Sequence, residues 1–467
     1  MRLVMKFGGT SVGDGPRIRN VAKLVKKYHD KGNEVVAVAS AMTGVTDRLF
    51  ELAQTAKDTS SVESIDVGFN ELTKRHETAI MGAIEDEKIR KEVSMEINQR
   101  LCELKNALVG VCYLGELTNR SLAYIYSFGE RMSVPILSGS LRDMGVKSKS
   151  FSGGEAGVTT DSKYESARPD PITETKVKGK LLPLLKEHYI PVVTGFVAAD
   201  AKGTITVLGR GGSDYSASIL GAAIDADEIW IYTDVNGIMT TDPRIVPDAR
   251  TLPVVTYLEA MEMSYFGAKV LHPKTIEPAV KKGIPVRVLN TFQPDHPGTV
   301  VLMKDDSGHQ NLIKAVTMIK NIALINISGT ELSGTPGTAG KIFSALGKEE
   351  VNIIMISQAS SEFNVSLAIE GVQAERAMLA LAKEFSADTV HNITCNDSVC
   401  VIAVVGERMA GSPGVAGKLF TALGQEGINI RMISQGSSEA NISFIVKKED
   451  AQRAVKLLHE VFELNKL

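Results

Sequence analysis

Residues Leu3 to Ser40 read LVMKFGGTSVGDGPRIRNVAKLVKKYHDKGNEVVAVAS and contain the pattern that decides the fold. Leu3 to Phe7 is an apolar run typical of a buried strand, and a pair of glycines ends it. Pro16 begins a helix with apolar residues at helical spacing, and Glu34 to Ser40 is a second buried run. A strand, a helix and a strand in this order form a parallel pair joined by a crossover. The stretch therefore predicts an α/β fold with a mainly parallel sheet.

The following 200 residues continue this fold. Thr46 to Ser138 is mostly helical and polar, and it predicts a helical subdomain at one end of the sheet. Buried strands return at Ile190 to Thr194, Thr204 to Val207 and Glu228 to Tyr232. Tyr215 to Ala223 is a helix of small residues between the last two strands. We expect this first domain to span residues 1–303, with residues 46–138 as a subdomain on the substrate side.

The C-terminal part is an internal repeat. Gly329 to Ile369 matches Gly406 to Val446 without a gap; for example, Pro336 and Pro413 stand 77 positions apart. Each copy reads strand, Pro-Gly turn, helix, strand, strand, helix. The first copy adds a strand near Asp388 to Ile393, whereas the second ends in a helix. The repeat predicts two βαββαβ modules.

A further strand, Leu312 to Met318, precedes the first copy and is expected to complete the second module. One module would then be inserted inside the other. The Pro-rich segment Leu289 to Thr299, followed by Lys304 to His309, is the best domain boundary. We therefore expect one module over residues 320–394 and the other over residues 304–319 plus 395–467.

Composition narrows the class of protein. A chain of 467 residues predicts two to four domains, and 43% hydrophobic with 23% charged residues is typical of globular proteins. A net charge of -3 gives no reason to expect nucleic acid or a membrane surface as a partner. We expect neither a signal peptide nor a transmembrane helix. The four cysteines lack a CxxC pattern, which indicates reduced thiols and a cytoplasmic protein. They are Cys102, Cys112, Cys395 and Cys400.

KFGGTS follows the first strand and precedes the first helix. Gly8 and Gly9 would let backbone N–H groups approach a phosphate, and Lys6 adds a positive charge at the same place. The residues alone leave open an ordinary corner between a strand and a helix, with a lysine that reaches solvent.

GRGGSD, at Gly209 to Asp214, repeats this arrangement before a second helix. It brings a cation, Arg210, and an anion, Asp214, into one turn. The alternative is a capped helix in which Ser213 or Asp214 is the N-cap residue. An arginine between glycines favours a functional site, because no structural role requires a guanidinium there.

Three weaker motifs complete the set. FGER contains Glu130, which could bind an ammonium group or pair with a nearby cation. TDVNGIMTTDPR, at Thr233 to Arg244, follows a strand and could line a site at the carboxyl edge of the sheet. GAKVLHP offers Lys269. The P-loop and protein-kinase signatures are missing, and the histidines form no metal-binding pattern.

KFGGTS, SAMTGVT, SFGERMS, GRGGSD, TDVNGIMTTDPR and GAKVLHP stand in the order seen in aspartate kinases, and the repeat resembles their paired ACT domains. The resemblance covers essentially the whole chain. It implies an amino-acid-kinase fold followed by two ACT domains, and an ATP:L-aspartate 4-phosphotransferase that makes 4-phospho-L-aspartate on the route to lysine, threonine and methionine. The chain ends at Leu467, so we expect no dehydrogenase of the kind fused to some relatives.

The resemblance also implies roles for individual residues. Lys6, Gly8 and Gly9 resemble phosphate-contacting residues. The residues that resemble those around the nucleotide are Thr233, Asp234, Arg244 and Lys269. The residues that resemble those around aspartate are Ser40, Thr46, Glu130, Arg210 and Asp214, and Ser213 of the same GRGGSD motif joins them.

The expected mechanism follows from the negative charges of the two substrates. The β-carboxylate of aspartate, with a pKa of about 3.9, is already ionised at neutral pH, so no general base is needed. Cations must offset its repulsion from the triphosphate, and we expect Lys6, Lys269 and Mg²⁺ to do so without a metal site built from protein groups alone. Arg210 suits the α-carboxylate because a guanidinium forms two parallel bonds to it, and Glu130 and Asp214 suit the ammonium.

The repeat predicts regulation. Each Pro-Gly turn, Thr335 to Gly340 and Ser412 to Gly417, precedes a helix and could bind a carboxylate. The effector-binding candidates are Asn352, Gln358, Asn429 and Gln435. The alternative is that these residues cap turns in a dimerising sheet. Paired ACT domains imply a homodimer or a tetramer and an inhibitory amino acid, threonine or lysine. Two rival functions remain: a glutamate or N-acetylglutamate kinase, and a catalytically inactive amino-acid sensor.

Overall fold

The computed structural model describes residues 1–59, 61–267, 271–305, 311–329, 337–358, 364–385 and 392–466. The chain forms two compact units. The first contains Met1–Ile238 and Val270–Lys304, and the second contains Met239–Lys269 and Asp305–Leu467.

The first 238 residues hold strands β1 (Arg2–Phe7), β2 (Glu34–Ala39), β3 (Ser148–Phe151), β4 (Thr159–Thr160), β5 (Ile190–Thr194), β6 (Val197–Asp200), β7 (Ile205–Val207) and β8 (Glu228–Thr233). Their helices are α1 (Gly15–His29), α2 (Val45–Thr59), α3 (Glu63–Ala83), α4 (Glu87–Leu114), α5 (Asn119–Asp143), α6 (Ile172–Lys186) and α7 (Gly212–Ala223). The segment up to residue 305 adds β9 (Val254–Thr256), α8 (Tyr257–Tyr265), α9 (Pro273–Lys281), β10 (Val286–Asn290) and β11 (Thr299–Leu302).

The remaining elements are β12 (Ala315–Ser328), α10 (Thr338–Lys348), β13 (Ile353–Gln358), β14 (Asn364–Glu370), α11 (Ala374–Glu384), β15 (Asn392–Val405), α12 (Val415–Gln425), β16 (Met432–Ser434), β17 (Asn441–Lys447) and α13 (Ala451–Val461). Short 3₁₀ helices occur at Gly371–Gln373, Glu407–Met409 and Leu464–Lys466.

The parallel sheet predicted from the N-terminal stretch is confirmed. Strands of the first unit follow one another in the order β3, β5, β2, β1, β8, β10 and β11. Neighbours are parallel from β3 to β10, and β11 runs antiparallel to β10. Because β1, β2 and β8 are adjacent and parallel, the loops that follow Phe7, Ala39 and Thr233 emerge at the same edge of the sheet.

The first helix shows why the chain folds as predicted here. Asp14 is the N-cap of α1, and its carboxylate accepts a hydrogen bond from the backbone N–H of Arg17 at 2.9 Å. Pro16 lies in the first turn, where its missing N–H has no cost. Ile18 and Val21 are buried against the sheet side of the core. The predicted helical region between Thr46 and Ser138 is also present, as α2 to α5.

The second unit contains an antiparallel sheet in the order β13, β14, β12, β15, β17 and β16. The helices keep the spacing of the sequence repeat, because α10 and α12 begin at Thr338 and Val415, 77 positions apart. Strand β12 joins the two copies. Its first part, Ala315 to Ile319, pairs with Val401 to Val405, and its second part, from Ile322, pairs with β14. The strand expected at Leu312 thus begins at Ala315 and pairs with the second copy.

Candidate active site

A cavity of about 400 Å³ opens where β1 and β2 end and α7 begins. Its position at the carboxyl ends of parallel strands is where open α/β sheets bind ligands. Three groups of residues line it. From the ends of β1 and β2 and the loops that follow them come Lys6, Gly8, Gly9, Ser40, Ala41, Met42, Thr43 and Gly44. Helices α2 and α5 contribute Thr46, Asp47 and Glu130, and the remainder are Phe196, Gly209, Gly211, Gly212, Ser213 and Asp214.

Lys6 and Asp214 form an ion pair in this cavity. The Lys6 Nζ atom lies 2.5 Å from Asp214 Oδ1, and the two side chains are 11% and 15% exposed. Helix α7 begins at Gly212 with Gly211 as its N-cap, in a left-handed conformation with φ 71°. Neither Ser213 nor Asp214 therefore caps the helix, and both side chains are free to face the cavity.

The glycines allow the walls of the cavity to approach closely. A Cβ atom on Gly9 would lie 3.0 Å from the carbonyl oxygen of Ala41, at the limit of contact. The backbone N–H of Gly8 donates to the carbonyl of Tyr232 at 3.3 Å, so this N–H is already used inside the protein. Gly8 thus links β1 to β8, and the assignment of Gly8 and Gly9 to phosphate binding stays a prediction.

Hydroxyl groups connect the walls. Ser40 donates to the Ser213 hydroxyl at 2.9 Å, and Ser133 of α5 donates to the Ser40 carbonyl at 2.7 Å. Thr43 donates to the carbonyl of Gly9 at 2.9 Å and so ties the loop after β2 to the loop after β1. Thr46, in the first turn of α2, lines the same cavity.

Glu130 is the most deeply buried acid of the cavity, at 3% exposure. Burial raises the pKa of its carboxyl group to about 8, although N–H groups of Ala41 and Glu130 itself favour the charged form. Its Oε2 atom has no hydrogen-bond partner among the described residues. Arg131, its neighbour in sequence, pairs with Glu103 instead. A buried acid with one unpartnered oxygen is suited to receive a cationic group of a ligand.

Arg210 differs from the other predicted residues. Its side chain is exposed, and the cavity is lined by the neighbouring glycines Gly209 and Gly211 rather than by the guanidinium. The structure thus brings Lys6, Ser213 and Asp214 together but leaves Arg210 outside the lining.

The residues predicted to contact the nucleotide belong to different parts of the chain. Thr233 and Asp234 follow β8 at the same sheet edge as Gly8, and the Thr233 hydroxyl donates to Asp234 at 3.1 Å. Arg244 belongs to the second unit, where its 88% exposed side chain forms a pair with Asp242 at 2.7 Å. Lys269 lies outside the described residues.

The effector candidates are all exposed. Asn352 and Gln358 flank and end β13, and Asn429 and Gln435 occupy the equivalent places in the second copy. The helix starts are also equivalent, because Gly337 and Gly414 cap α10 and α12 in the left-handed conformation, with φ 91° and 90°. Thr335 and Pro336 of the first Pro-Gly turn lie outside the described residues.

Sequence reasoning missed Thr43, Ser133 and Phe196. Phe196 has φ 62° in the turn after β5 and lines the cavity. The rule that singled out other strand ends would have found it, because the strand ending at Thr194 was predicted. Thr43 lies inside the SAMTGVT motif. Among the described residues no helix is long and apolar enough to cross a membrane, and no three His, Cys, Asp or Glu side chains cluster as a metal site.

Comparisons with known proteins agree with this architecture. A model of the amino acid kinase family matches residues 1–290, and an ACT domain model matches residues 325–385 and 402–462. Aspartokinase 3, chloroplastic, of Arabidopsis thaliana is 34% identical, with 98% of this chain and 81% of that protein covered. The chain belongs to the aspartokinase family.

Some members of the aspartokinase family are longer. The bifunctional aspartokinase/homoserine dehydrogenase of Daucus carota is 34% identical over 99% of this chain and 51% of its own length. The chain therefore spans about half the length of such curated relatives.

Solved aspartokinase structures share the fold. Escherichia coli aspartokinase III in complex with lysine and aspartate, in the T-state, matches with a TM-score of 0.83 and 28% identity over 98% of both chains. The same enzyme in complex with aspartate and ADP, in the R-state, matches with a TM-score of 0.79 over 99% of both chains. The predicted fold class, an amino-acid-kinase domain followed by ACT domains, is confirmed.

Proposed function

We propose that the chain is an aspartate kinase that transfers the γ-phosphoryl group of ATP to the β-carboxylate of L-aspartate. The observation that carries the proposal is the cavity in which Lys6, Asp214 and Glu130 lie together at the carboxyl edge of the parallel sheet. Both charge signs are present there, as binding of a zwitterionic diacid next to a triphosphate requires. Membership of the aspartokinase family supports the same activity.

Lys6 has the central electrostatic role in this proposal. Two unit negative charges 4 Å apart repel by about 4 kcal/mol at an effective dielectric constant of about 20. The substrate carboxylate must approach the γ-phosphoryl group against such repulsion. The Lys6 ammonium, now paired with Asp214 at 2.5 Å, lies at the end of β1 and would stabilise the charge on the transferring group.

Recognition of aspartate uses the opposite charges. Glu130 and Asp214 receive the ammonium group, and Ser40, Thr46 and Ser213 contribute hydroxyls. The unpartnered Oε2 atom of Glu130 supports this role, because an ammonium would supply the missing hydrogen bond. Arg210 binds the α-carboxylate of aspartate after its exposed side chain turns towards the cavity.

The nucleotide lies towards β8 in this proposal. Gly9, Thr233 and Asp234 follow adjacent strands, and Arg244 and Lys269 complete the assignment. The cavity offers separate carboxylates, Asp47 and Asp214, rather than a cluster, which suits a Mg²⁺ ion held mainly by phosphate oxygens. When bound, Mg²⁺ would neutralise charge on the β- and γ-phosphates.

Regulation is assigned to the second unit. We propose that Asn352, Gln358, Asn429 and Gln435 bind threonine or lysine and that the ACT domains form a homodimer or a tetramer. The E. coli aspartokinase III structure with lysine supports an amino-acid effector. Calorimetric titration with lysine and threonine tests this, and absence of heat and of inhibition with both would leave the repeat a structural role only. The domain bounds stay as expected above, 1–303, 320–394, and 304–319 plus 395–467, and we propose a cytoplasmic enzyme.

The decisive experiment compares acceptors. Purified protein with ATP and Mg²⁺ is incubated with L-aspartate, L-glutamate or N-acetyl-L-glutamate, and acyl phosphate is trapped with hydroxylamine. We expect product with L-aspartate. N-acetylation removes the ammonium that Glu130 would bind, so N-acetylglutamate should fail. Product from another acceptor alone would transfer the assignment to that kinase, and no ATP turnover would indicate an inactive sensor.

A further inference from the structure

The first unit contains a second cavity, of about 440 Å³, which the proposed kinase reaction does not use. It lies at the carboxyl ends of β3 and β5, where Phe151, Ser152 and Thr194 contribute to its lining. It therefore shares the ligand-binding edge of the sheet with the active-site cavity. Helix α5 separates the two, because Glu130 lines the first and Arg131 lines the second.

The two arginines that line this cavity are only partly neutralised by acidic side chains. Arg100 and Arg131 both line it, and both make their ion pair with one carboxylate, that of Glu103, at 3.2 Å and 2.7 Å. The Arg131 side chain is nine-tenths buried, at 10% exposure. Arg100 Nε and Arg131 Nη1 have no hydrogen-bond partner among the described residues. Two guanidiniums that share one carboxylate leave one positive charge available for an anionic group.

The cavity is also lined by two carboxylates, one of which lacks a partner. Glu96, one helical turn before Arg100 on α4, lines the cavity and makes no hydrogen bond or ion pair with any described residue. Burial raises the pKa of its carboxyl group, and the positive charges of Arg100 and Arg142 partly oppose this. Glu155, the other acid, already accepts hydrogen bonds from the backbone and hydroxyl of Ser152 at 2.7 Å and 2.8 Å. An ammonium group would give Glu96 the partner that it lacks.

The remaining wall is largely apolar. Its side chains include those of Val134, Pro135, Phe151, Ala198 and Ile205. A volume of this size is within the range of small-molecule sites, roughly 300–1,000 Å³. A charged ligand side chain would find no counter-charge against this wall, whereas an aliphatic one would be removed from water.

We propose that this cavity binds a zwitterionic α-amino acid with an apolar side chain. The carboxylate contacts Arg100 and Arg131, the ammonium contacts Glu96, and the side chain packs on the apolar wall. The residues of this site are distinct from those of the active-site cavity and from those of the repeat. The proposal does not depend on the proposed kinase activity.

The test is calorimetric titration of the full-length chain with L-leucine and L-methionine. Two variants remove opposite charges, Glu96→Gln and Arg100→Met, and Glu87→Gln is the matched control on the same helix, outside the cavity, where Glu87 pairs with Lys91 at 2.9 Å. We expect the wild type and the control to bind one leucine per chain, and each cavity variant to bind at least ten-fold more weakly. Unaltered thermal melting would show that the variants are folded.

Each other result counts against the proposal. No binding of leucine or methionine to the wild type would overturn it. Equal affinity in both cavity variants would place the amino acid elsewhere, for example in the repeat. A loss with Arg100→Met alone would indicate a simple anion site. The hydroxylamine assay, run on the same samples, separates this outcome from failure of the kinase assignment.

Discussion

Among the described residues, each compact unit contains one largely buried lysine–aspartate pair. Lys6 and Asp214 are 2.5 Å apart in the first unit, and Lys314 and Asp305 are 2.9 Å apart in the second. The first pair lies in a glycine-lined cavity, with side chains 11% and 15% exposed. The second is packed on all sides, at 5% exposure for both side chains, and Lys314 also donates to the carbonyl of Val254 at 3.4 Å. Two ion pairs of similar geometry can thus have different roles, and the environment of each pair indicates its role.

Open space distinguishes the two pairs. A cavity of about 400 Å³ lies beside Lys6 and Asp214, and in the proposed mechanism the substrate displaces Asp214 from Lys6 there. The Lys314 and Asp305 side chains are each only 5% exposed, and their ion pair joins the residue before β12 to the segment that precedes it. We therefore expect the first lysine to matter for turnover and the second for stability.

The largest expected effect is that of Lys6→Met on catalysis. Removing the ammonium should lower kcat about 10³-fold, since preorganised charge at the transferring group is typically worth 10²- to 10³-fold. The measurement is steady-state kinetics with aspartate and ATP, and Lys314→Met is the matched control. Near-normal turnover by Lys6→Met would remove the distinction between the pairs.

Lys314→Met should instead destabilise the second unit. It removes the ammonium that binds the buried Asp305 carboxylate at 2.9 Å, and loss of a hydrogen bond to a charged group typically costs about 2 kcal/mol. Urea unfolding followed by circular dichroism should shift to lower denaturant. The single tryptophan, Trp230, lies in β8 of the first unit, so its fluorescence transition should shift less. Lys314→Arg, which keeps the positive charge, should lose less stability, and an equal loss in both variants would argue against an ion-pair effect.

The sequence pointed to the residues of the first pair as site residues, although not to their pairing, and it pointed to neither residue of the second pair. Lys6 and Asp214 stand in glycine motifs at strand ends, where local pattern and function coincide. Lys314 directly precedes β12, whose first part pairs with the second copy as predicted, but the burial of Lys314 depends on contacts made along the folded chain. Local patterns report local structure well, as the equal helix starts at Gly337 and Gly414 show.

Long-range arrangement was harder to predict. The order of strands across the sheet places β8 beside β1, although more than 200 residues separate them. Strands β10 and β11 were missed because the Pro-rich segment between them was interpreted as a domain boundary. Phe196 follows a predicted strand end, but the sequence does not show the left-handed turn, at a residue other than glycine, that places it at the cavity.

The buried acid of the cavity gives a prediction on pH. With a pKa of about 8, Glu130 is mostly neutral at pH 6.5 and ionised at pH 9. If the carboxylate binds the ammonium of aspartate, the KM for aspartate should fall as pH rises towards 8, by up to about ten-fold per unit. Glu130→Gln should raise the KM and remove this dependence. A pH dependence that survives in Glu130→Gln would assign it to another group.

The same group should affect stability with a defined sign. Its folded pKa, about 8, exceeds the ordinary value of 4.5, so the folded state binds more protons between these values. The contribution of Glu130 is therefore fully favourable below pH 4.5 and declines as pH rises to 8, by about 1.4 kcal/mol per unit. When both proteins are melted between pH 5 and 9, the melting temperature of the wild type should fall relative to that of Glu130→Gln as pH rises. Parallel curves would contradict the assigned burial.

The smallest expected effect concerns a contact outside the cavity. Arg75 of α3 donates from Nη2 to the carbonyl of Thr43 at 2.5 Å, and Thr43 in turn donates to the carbonyl of Gly9. Arg75 therefore holds the loop that lines the cavity without touching a ligand, in contrast to Lys6. A hydrogen bond of this kind contributes about 1 kcal/mol, so Arg75→Met should raise the KM for aspartate about five-fold with a smaller change in kcat. Arg75→Lys should retain part of the effect, and Lys74→Met, on the adjacent exposed residue, should change neither parameter. A loss of kcat comparable to that of Lys6→Met would mean that Arg75 contacts the reacting groups, and the distinction between a charge that reacts and a charge that positions would then fail at this loop.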